Sequence, residues 1–438
     1  MPGYWSAVRR WLATASLVAV QMLTAAAVVA GALWIAVRPG NQTLQLPASV
    51  MAGATLEGVR PSETGDVDPR LAAAVDALLA RRGKATRTNN LALFLRDVSP
   101  DLRAEQRRLF ANMGAIGMAV TYRRAEPWDD NQAMQRFGPA TGTFRVSMRY
   151  QLVGTRLPQA ATDVGYTFTV RSGRLYLVDD NDLNLQLGAG RMPWDFGPIN
   201  VIRRPGAMVI VTAGEGRLGE RIAADTVQVE KRVRKLWPGP LQRVPVIVAM
   251  TDRRVLTGMP PTLDGAEPAV VEPMPSPAID GRPVGGWVVV KPDSRQLFDR
   301  VELAHALVHL LPVRLGDEAP RWLAEGLAEY AGNQQLVLAG KKVKVTEKLS
   351  VVSKQALGEL TALPADDAFS GANSTDSYDI SWLAVDHLIK EVGTRPVTDF
   401  YLQVARRGYS PSIRERLLEE RTGFTEQDLV ESLRSLAG

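Results

Sequence analysis

The stretch FDRVELAHALVHLLPVRLGDEAPRWLAEGLAEY, Phe298 to Tyr330, holds two of the three histidines in a chain of 438 residues. His305 and His309 stand four residues apart, and Ala306 follows the first. At about 100° per residue, positions four apart lie about 40° round a helix, so both imidazoles share one face. Leu303, Leu307, Leu310 and Val301 fall on the other side and can anchor the helix in a core. Asp293 or Ser294 is the expected N-cap, and Pro312 the expected stop, after a last turn at Leu311. A second helix is expected from Pro320, a favoured first-turn residue. It carries Glu325 and Glu329, again four apart on one face. A short connection packs the two helices antiparallel and brings Glu325 opposite the histidine pair. Two neutral imidazoles and a carboxylate are a three-ligand zinc site with one open position.

These residues carry a specific resemblance. AHALVH followed by PRWLAEGLAEY is similar to the peptidase MA-like gluzincins, zinc metallopeptidases with a histidine-glutamate-x-x-histidine helix and a downstream glutamate. GGWVVVKP resembles the family's edge strand, against which an extended substrate lies. LPADDAF and SYDISWLAVDHLIKEVG resemble later family segments, so the likeness runs from about Pro198 to Gly408. It implies His305, His309 and Glu325 as zinc ligands and Glu329 as a carboxylate holding the other nitrogen of an imidazole. More loosely, it implies Tyr378 as a group aimed at the oxyanion. His387, on a late helix, reads as a structural or surface histidine.

The departure from the family is Ala306. There the family's glutamate accepts a proton from the attacking water and passes it to the leaving amine, and a methyl group does neither. Loss of a general base typically costs 10²–10⁴-fold. Glu302 offers two alternatives: a substitute base, or a fourth ligand in a Glu-x-x-His arrangement. Three readings follow. The first is a zinc-binding but hydrolytically impaired pseudopeptidase acting as a binding or regulatory module for a peptide or protein partner. The second is an active metallopeptidase using Glu302 or another carboxylate, and the third a metal-free structural protein of the cell envelope.

Outward from this stretch, the fold class is α+β. The chain has no cysteine, which removes disulfides, thiolate nucleophiles and zinc–thiolate sites. The net charge of +5 is spread over short clusters without aromatic interleaving, which argues against a nucleic-acid surface. Residues 1–40 carry Arg9 and Arg10 and then no charge until Arg38. The 27 residues from Trp11 to Val37 are enough to cross a bilayer and too many for the apolar core of a cleavable signal. They predict a transmembrane signal anchor with a cytoplasmic N-terminus and the bulk of the chain outside. Residues 41–65 read as a linker. Residues 66–190 combine helices with alternating strands, MAVTYRRAE, TFRVSMRYQLVG and VGYTFTVRSGRLYLVDD. This pattern resembles the small α+β cone of NTF2-like domains. Tyr122, Tyr150 and Tyr166 read there as core or cross-strand residues. Residues 198–438 are the gluzincin-like part, a mixed sheet followed by a mainly helical half.

Overall fold

The computed structural model describes residue 56 and residues 68–180, 192–237, 242–254, 268–277, 282–316, 318–338, 351–370 and 374–436. Everything described belongs to one contact unit, Leu56–Gly438. Its first part opens with α1 (Pro69–Arg87), capped by Asp68, then α2 (Leu91–Leu95) and α3 (Arg103–Ile116). A meander follows, made of β1 (Met118–Trp128), β2 (Thr141–Leu152), β3 (Ala160–Arg171) and β4 (Arg174–Asp179), with α4 (Asn131–Phe137) between β1 and β2. All its pairings are antiparallel, in the order β1-β2-β3-β4. The strands form where apolar and polar residues alternate, and one sheet face with Val120, Phe144, Val146, Tyr150 and Phe168 is buried.

The second part is built on β5 (Ile199–Arg204), β6 (Ala207–Thr212), α5 (Gly216–Val233), β7 (Val246–Ala249), β8 (Ala269–Met274) and β9 (Gly285–Val290). The strand order is β5-β6-β7-β9-β8: β6, β7 and β9 run parallel, while β5 and β8 are antiparallel edges. The near-continuous apolar runs of β6, β7 and β9 have a direct cause, since both faces of this sheet are covered. Alternate residues point to two different cores. Val209, Val211, Ile247, Ala249, Val288 and Val290 face a helical half, whereas Met208, Ile210, Val246, Val248, Trp287 and Val289 face the meander. Trp194 links the two parts, with its ring 5.3 Å from Tyr150 and 5.9 Å from Trp287. The helical half comprises α6 (Arg300–Leu310), α7 (Arg321–Leu338), α8 (Val351–Gly358), α9 (Ser374–Val392), α10 (Thr394–Val404), α11 (Pro411–Thr422) and α12 (Glu426–Ser435).

The α+β architecture, with a mixed sheet and a C-terminal helical half, matches the expectation, but the expected membrane anchor is corrected. Among the described residues no helix is long and apolar enough to cross a membrane. The longest, α1 and α9, carry charged side chains along their length. The run from Trp11 to Val37, on which the anchor was expected, lies outside the described residues. The membrane contact, single-pass topology and extracytoplasmic location expected from it are set aside with it.

Two local expectations are also revised. GGWVVVKP supplies β9, an interior strand, and the edge is β8, drawn from the Pro-rich stretch expected to be a loop. An edge strand tolerates Pro273 because one row of its backbone groups needs no ladder partner. Asp293 and Ser294 lie in a single 3₁₀ turn, Pro292–Ser294, and do not cap α6. Asp299 does so, its carboxylate accepting from the N–H of Val301 at 2.7 Å and of Glu302 at 3.3 Å.

Candidate metal centre

Helix α6 is buried along Leu303, Ala304, Ala306, Leu307, Val308 and Leu310, with His305 and His309 only partly covered. Helix α7 packs along it and presents Glu325 and Glu329. Gly326 explains how α7 is held from behind. A Cβ at that position would lie 2.4 Å from the carbonyl oxygen of Ser381 on α9, so the two backbones meet where only glycine fits.

The two helices bring three ligand-type residues together. The Nε2 atoms of His305 and His309 lie 3.3 Å apart, and Oε2 of Glu325 lies 3.4 Å from each. These three atoms form a nearly equilateral triangle. Ligand atoms about 2.0–2.2 Å from a zinc ion, at tetrahedral angles, are separated by roughly 3.3–3.5 Å. The triangle therefore has the dimensions of three corners of a zinc tetrahedron. Oε2 of Glu325 is buried and accepts no hydrogen bond, while Arg321 Nε lies 3.5 Å from the other oxygen, Oε1. A buried carboxylate oxygen without a donor, at equal distance from two imidazole nitrogens, fits a cation. The side chains are 16%, 25% and 11% exposed for His305, His309 and Glu325, sheltered but reachable from the cleft.

Glu329 fixes the orientation of His305. Its Oε1 lies 3.1 Å from His305 Nδ1, so Nδ1–H donates to the carboxylate and Nε2 faces the cluster. Burial alone would lower the pKa of His305, but the facing carboxylates of Glu325 and Glu329 prevail and push it up to about 10. Burial would likewise raise that of Glu325, yet the imidazoles of His309 and His305 hold its carboxyl well below the usual range. In the metal-free protein the cluster thus carries an imidazolium against carboxylates, and a metal ion would take the place of the Nε2 proton.

A cleft of about 840 Å³ opens onto this cluster. Its lining includes His305, Ala306, His309, Arg321, Glu325 and Asp366, with Val270 and Val271 from the edge strand β8. Ala306 therefore sits at the cleft surface beside the ligand atoms, with only a methyl group to offer. Glu302 is half-buried in the first turn of α6 and is not among the residues lining the cleft. Tyr378, on α9, has its ring 6.5 Å from that of His305 and 5.2 Å from Phe369. His387 is remote from the cluster, its ring set edge-on to Phe424 at 5.6 Å.

Three contributors escaped the sequence reading. Arg321 stands four residues before Glu325, an i,i+4 pair legible on the helix. Asp366, within LPADDAF, accepts the backbone N–H of Arg321 at 2.9 Å and so ties the start of α7. Strand β8 had no such signal, because its proline content reads as loop.

No protein-family model matches the chain. No curated protein matches it by sequence. Among solved structures, it is similar to a glutamate-to-alanine variant of a two-domain M1 zinc metallopeptidase bound to L-arginine. Identity is 14%, the TM-score is 0.36, and the match covers 73% of this chain and 61% of that one. An M1 zinc metallopeptidase from Deinococcus radiodurans matches at 16% identity and TM-score 0.33, covering 73% of this chain and 63% of that one. Native leukotriene A4 hydrolase from Saccharomyces cerevisiae matches at 11% and 0.33, covering 72% and 57%. The chain thus spans about three-fifths of the length of these structures, and the case for a metal centre rests on the ligand geometry itself.

Proposed function

We propose that the chain binds one zinc ion through His305, His309 and Glu325 in a peptidase-derived cleft, and that its hydrolytic power is low because Ala306 stands where a proton acceptor is needed. The family assignment to peptidase MA-like gluzincins, and the NTF2-like character of the first part, belong to the same proposal. The observation that carries it is the triangle of Nε2, Nε2 and Oε2 atoms at 3.3–3.4 Å. A bound zinc ion supplies Lewis acidity toward a carbonyl oxygen. The protein groups do the remaining work. Glu329 holds His305 in the tautomer that turns Nε2 to the ion, and Arg321 occupies Oε1 of Glu325 so that Oε2 remains for it. In the cleft beside them, Ala306 cannot take a proton from water or return one to a leaving amine. The cleft therefore suits retention of a peptide or protein segment better than its cleavage, and a binding or regulatory module is the favoured role.

The test combines metal content with one substitution. Purified protein should carry about one zinc per chain by elemental analysis, lost on His305→Ala. Ala306→Glu in the metallated, folded protein should raise zinc-dependent peptide hydrolysis by roughly 10²–10⁴-fold. Protein that takes up no zinc at any loading would sink the proposal. A metallated Ala306→Glu variant with no gain would remove the claim that only the base is missing.

A further inference from the structure

A second polar cluster lies far from the cleft, inside the meander part. Arg82 of α1 is 2% exposed, although its side chain is a permanent cation. Its guanidinium carbon lies 3.8 Å from the ring centroid of Phe94, 5.5 Å from that of Tyr122 and 5.6 Å from that of Tyr166. The Nη2 group donates to Oε1 of Gln106, and the amide of Gln106 donates in turn to Oδ2 of Asp180. This accounts for one of three guanidinium nitrogens. Among the described residues, Nε and Nη1 of Arg82 have no hydrogen-bond partner, nor has Oδ1 of Asp180.

A buried guanidinium usually has its N–H groups met by acceptors, and those left over point to an ion, a ligand or ordered water. Here the surroundings narrow the choice. Three aromatic rings surround the cation, so a ligand sits among apolar walls with the charge at one end. Asp180 stands behind Gln106, its pKa raised by burial and held back by Arg82. A doubly charged oxyanion would bring excess negative charge toward that carboxyl group, whereas a single carboxylate balances the guanidinium. The phenols of Tyr122 and Tyr166, whose rings are 6.1 Å apart, flank the same space.

We infer that the meander part binds a small organic monocarboxylate, its carboxylate on Nε and Nη1 of Arg82 and its apolar body among Phe94, Tyr122 and Tyr166. This site is separate from the proposed metal centre: its residues belong to the core on the opposite face of the five-stranded sheet.

The experiment uses the full chain with benzoate as probe, benzamide as the uncharged match and sodium chloride as the ionic control. Benzoate should raise the melting temperature in a concentration-dependent way, and benzamide and chloride should not. Arg82→Met should abolish the shift, and His305→Ala should leave it intact, which excludes carboxylate binding at the metal centre. No benzoate shift, an equal shift with benzamide, or a shift retained in Arg82→Met would overturn the inference. Should Arg82→Met fail to fold, a crystal of the wild-type chain soaked in 4-bromobenzoate decides by the anomalous signal of bromine. Bromobenzoate with its carboxylate on Nε or Nη1 supports the site. Water alone on those nitrogens, or no added density, overturns it.

Discussion

Glu329 decides which nitrogen of His305 faces the cluster, and its removal should weaken metal binding without removing a ligand. Glu329→Gln is expected to lower zinc affinity by about 10–100-fold, read by competition with a chromophoric chelator. The proton on His305 gives a second prediction. Its folded pKa of about 10 lies above the ordinary 6.5, so without metal the group stabilises the fold fully below about pH 6.5. That contribution is lost as pH rises toward 10. In chelator, the melting temperature should therefore fall from pH 6.5 to 9.5 by more than in His305→Ala. At neutral pH zinc binding should release a proton, seen as a dependence of the calorimetric enthalpy on the ionisation heat of the buffer. His305, His309, Glu325 and Glu329 were all legible as residues, because helical spacing fixes which side chains share a face. The distances between them, and the equal reach of Oε2 to both imidazoles, were not, since they depend on how closely two helices approach.

At the scale of elements, the approach of helices is set by small residues. Gly326 lets α7 lie against the Ser381 carbonyl of α9, and an added methyl has backbone to displace. Gly326→Ala should destabilise the protein by about 1–3 kcal/mol, measured by denaturant unfolding, and loosen zinc binding with it. Gly114, exposed in α3 with nothing within 4 Å of an added Cβ, is the opposite case. Gly114→Ala should stabilise by about 0.5–1 kcal/mol in the same assay, because the backbone loses freedom only in the unfolded chain. The start of α6 was misjudged from sequence because Asp293, Ser294 and Asp299 are all competent caps. Asp299 prevails because Pro292–Ser294 is taken up in its own turn. Strand β8 was missed because pairing with β9 outweighs its prolines, a preference that exists only once β9 is in place.

For the whole molecule, the five-stranded sheet carries a core on each face, one with the proposed metal centre and one with Arg82. Trp287 on β9 packs with Trp194 and belongs to the meander-side core. Trp287→Ala should cost about 3–5 kcal/mol of stability, seen as a lower melting temperature, while folded protein keeps its zinc stoichiometry. Loss of zinc in protein that is still folded would mean that the two faces of the sheet are coupled. By itself the sequence determined the α+β order of elements, the ligand set on two helices and the missing base at Ala306. Those properties are local: they follow from residue type and from periods of 3.6 and 2 along the chain. Only the tertiary structure decided that β9 is interior and β8 the edge, that Arg321 and Asp366 adjoin the cluster, and that Arg82 is buried among aromatic rings. These depend on contacts between segments tens of residues apart, and no short-range period encodes which buried surface a given segment will meet.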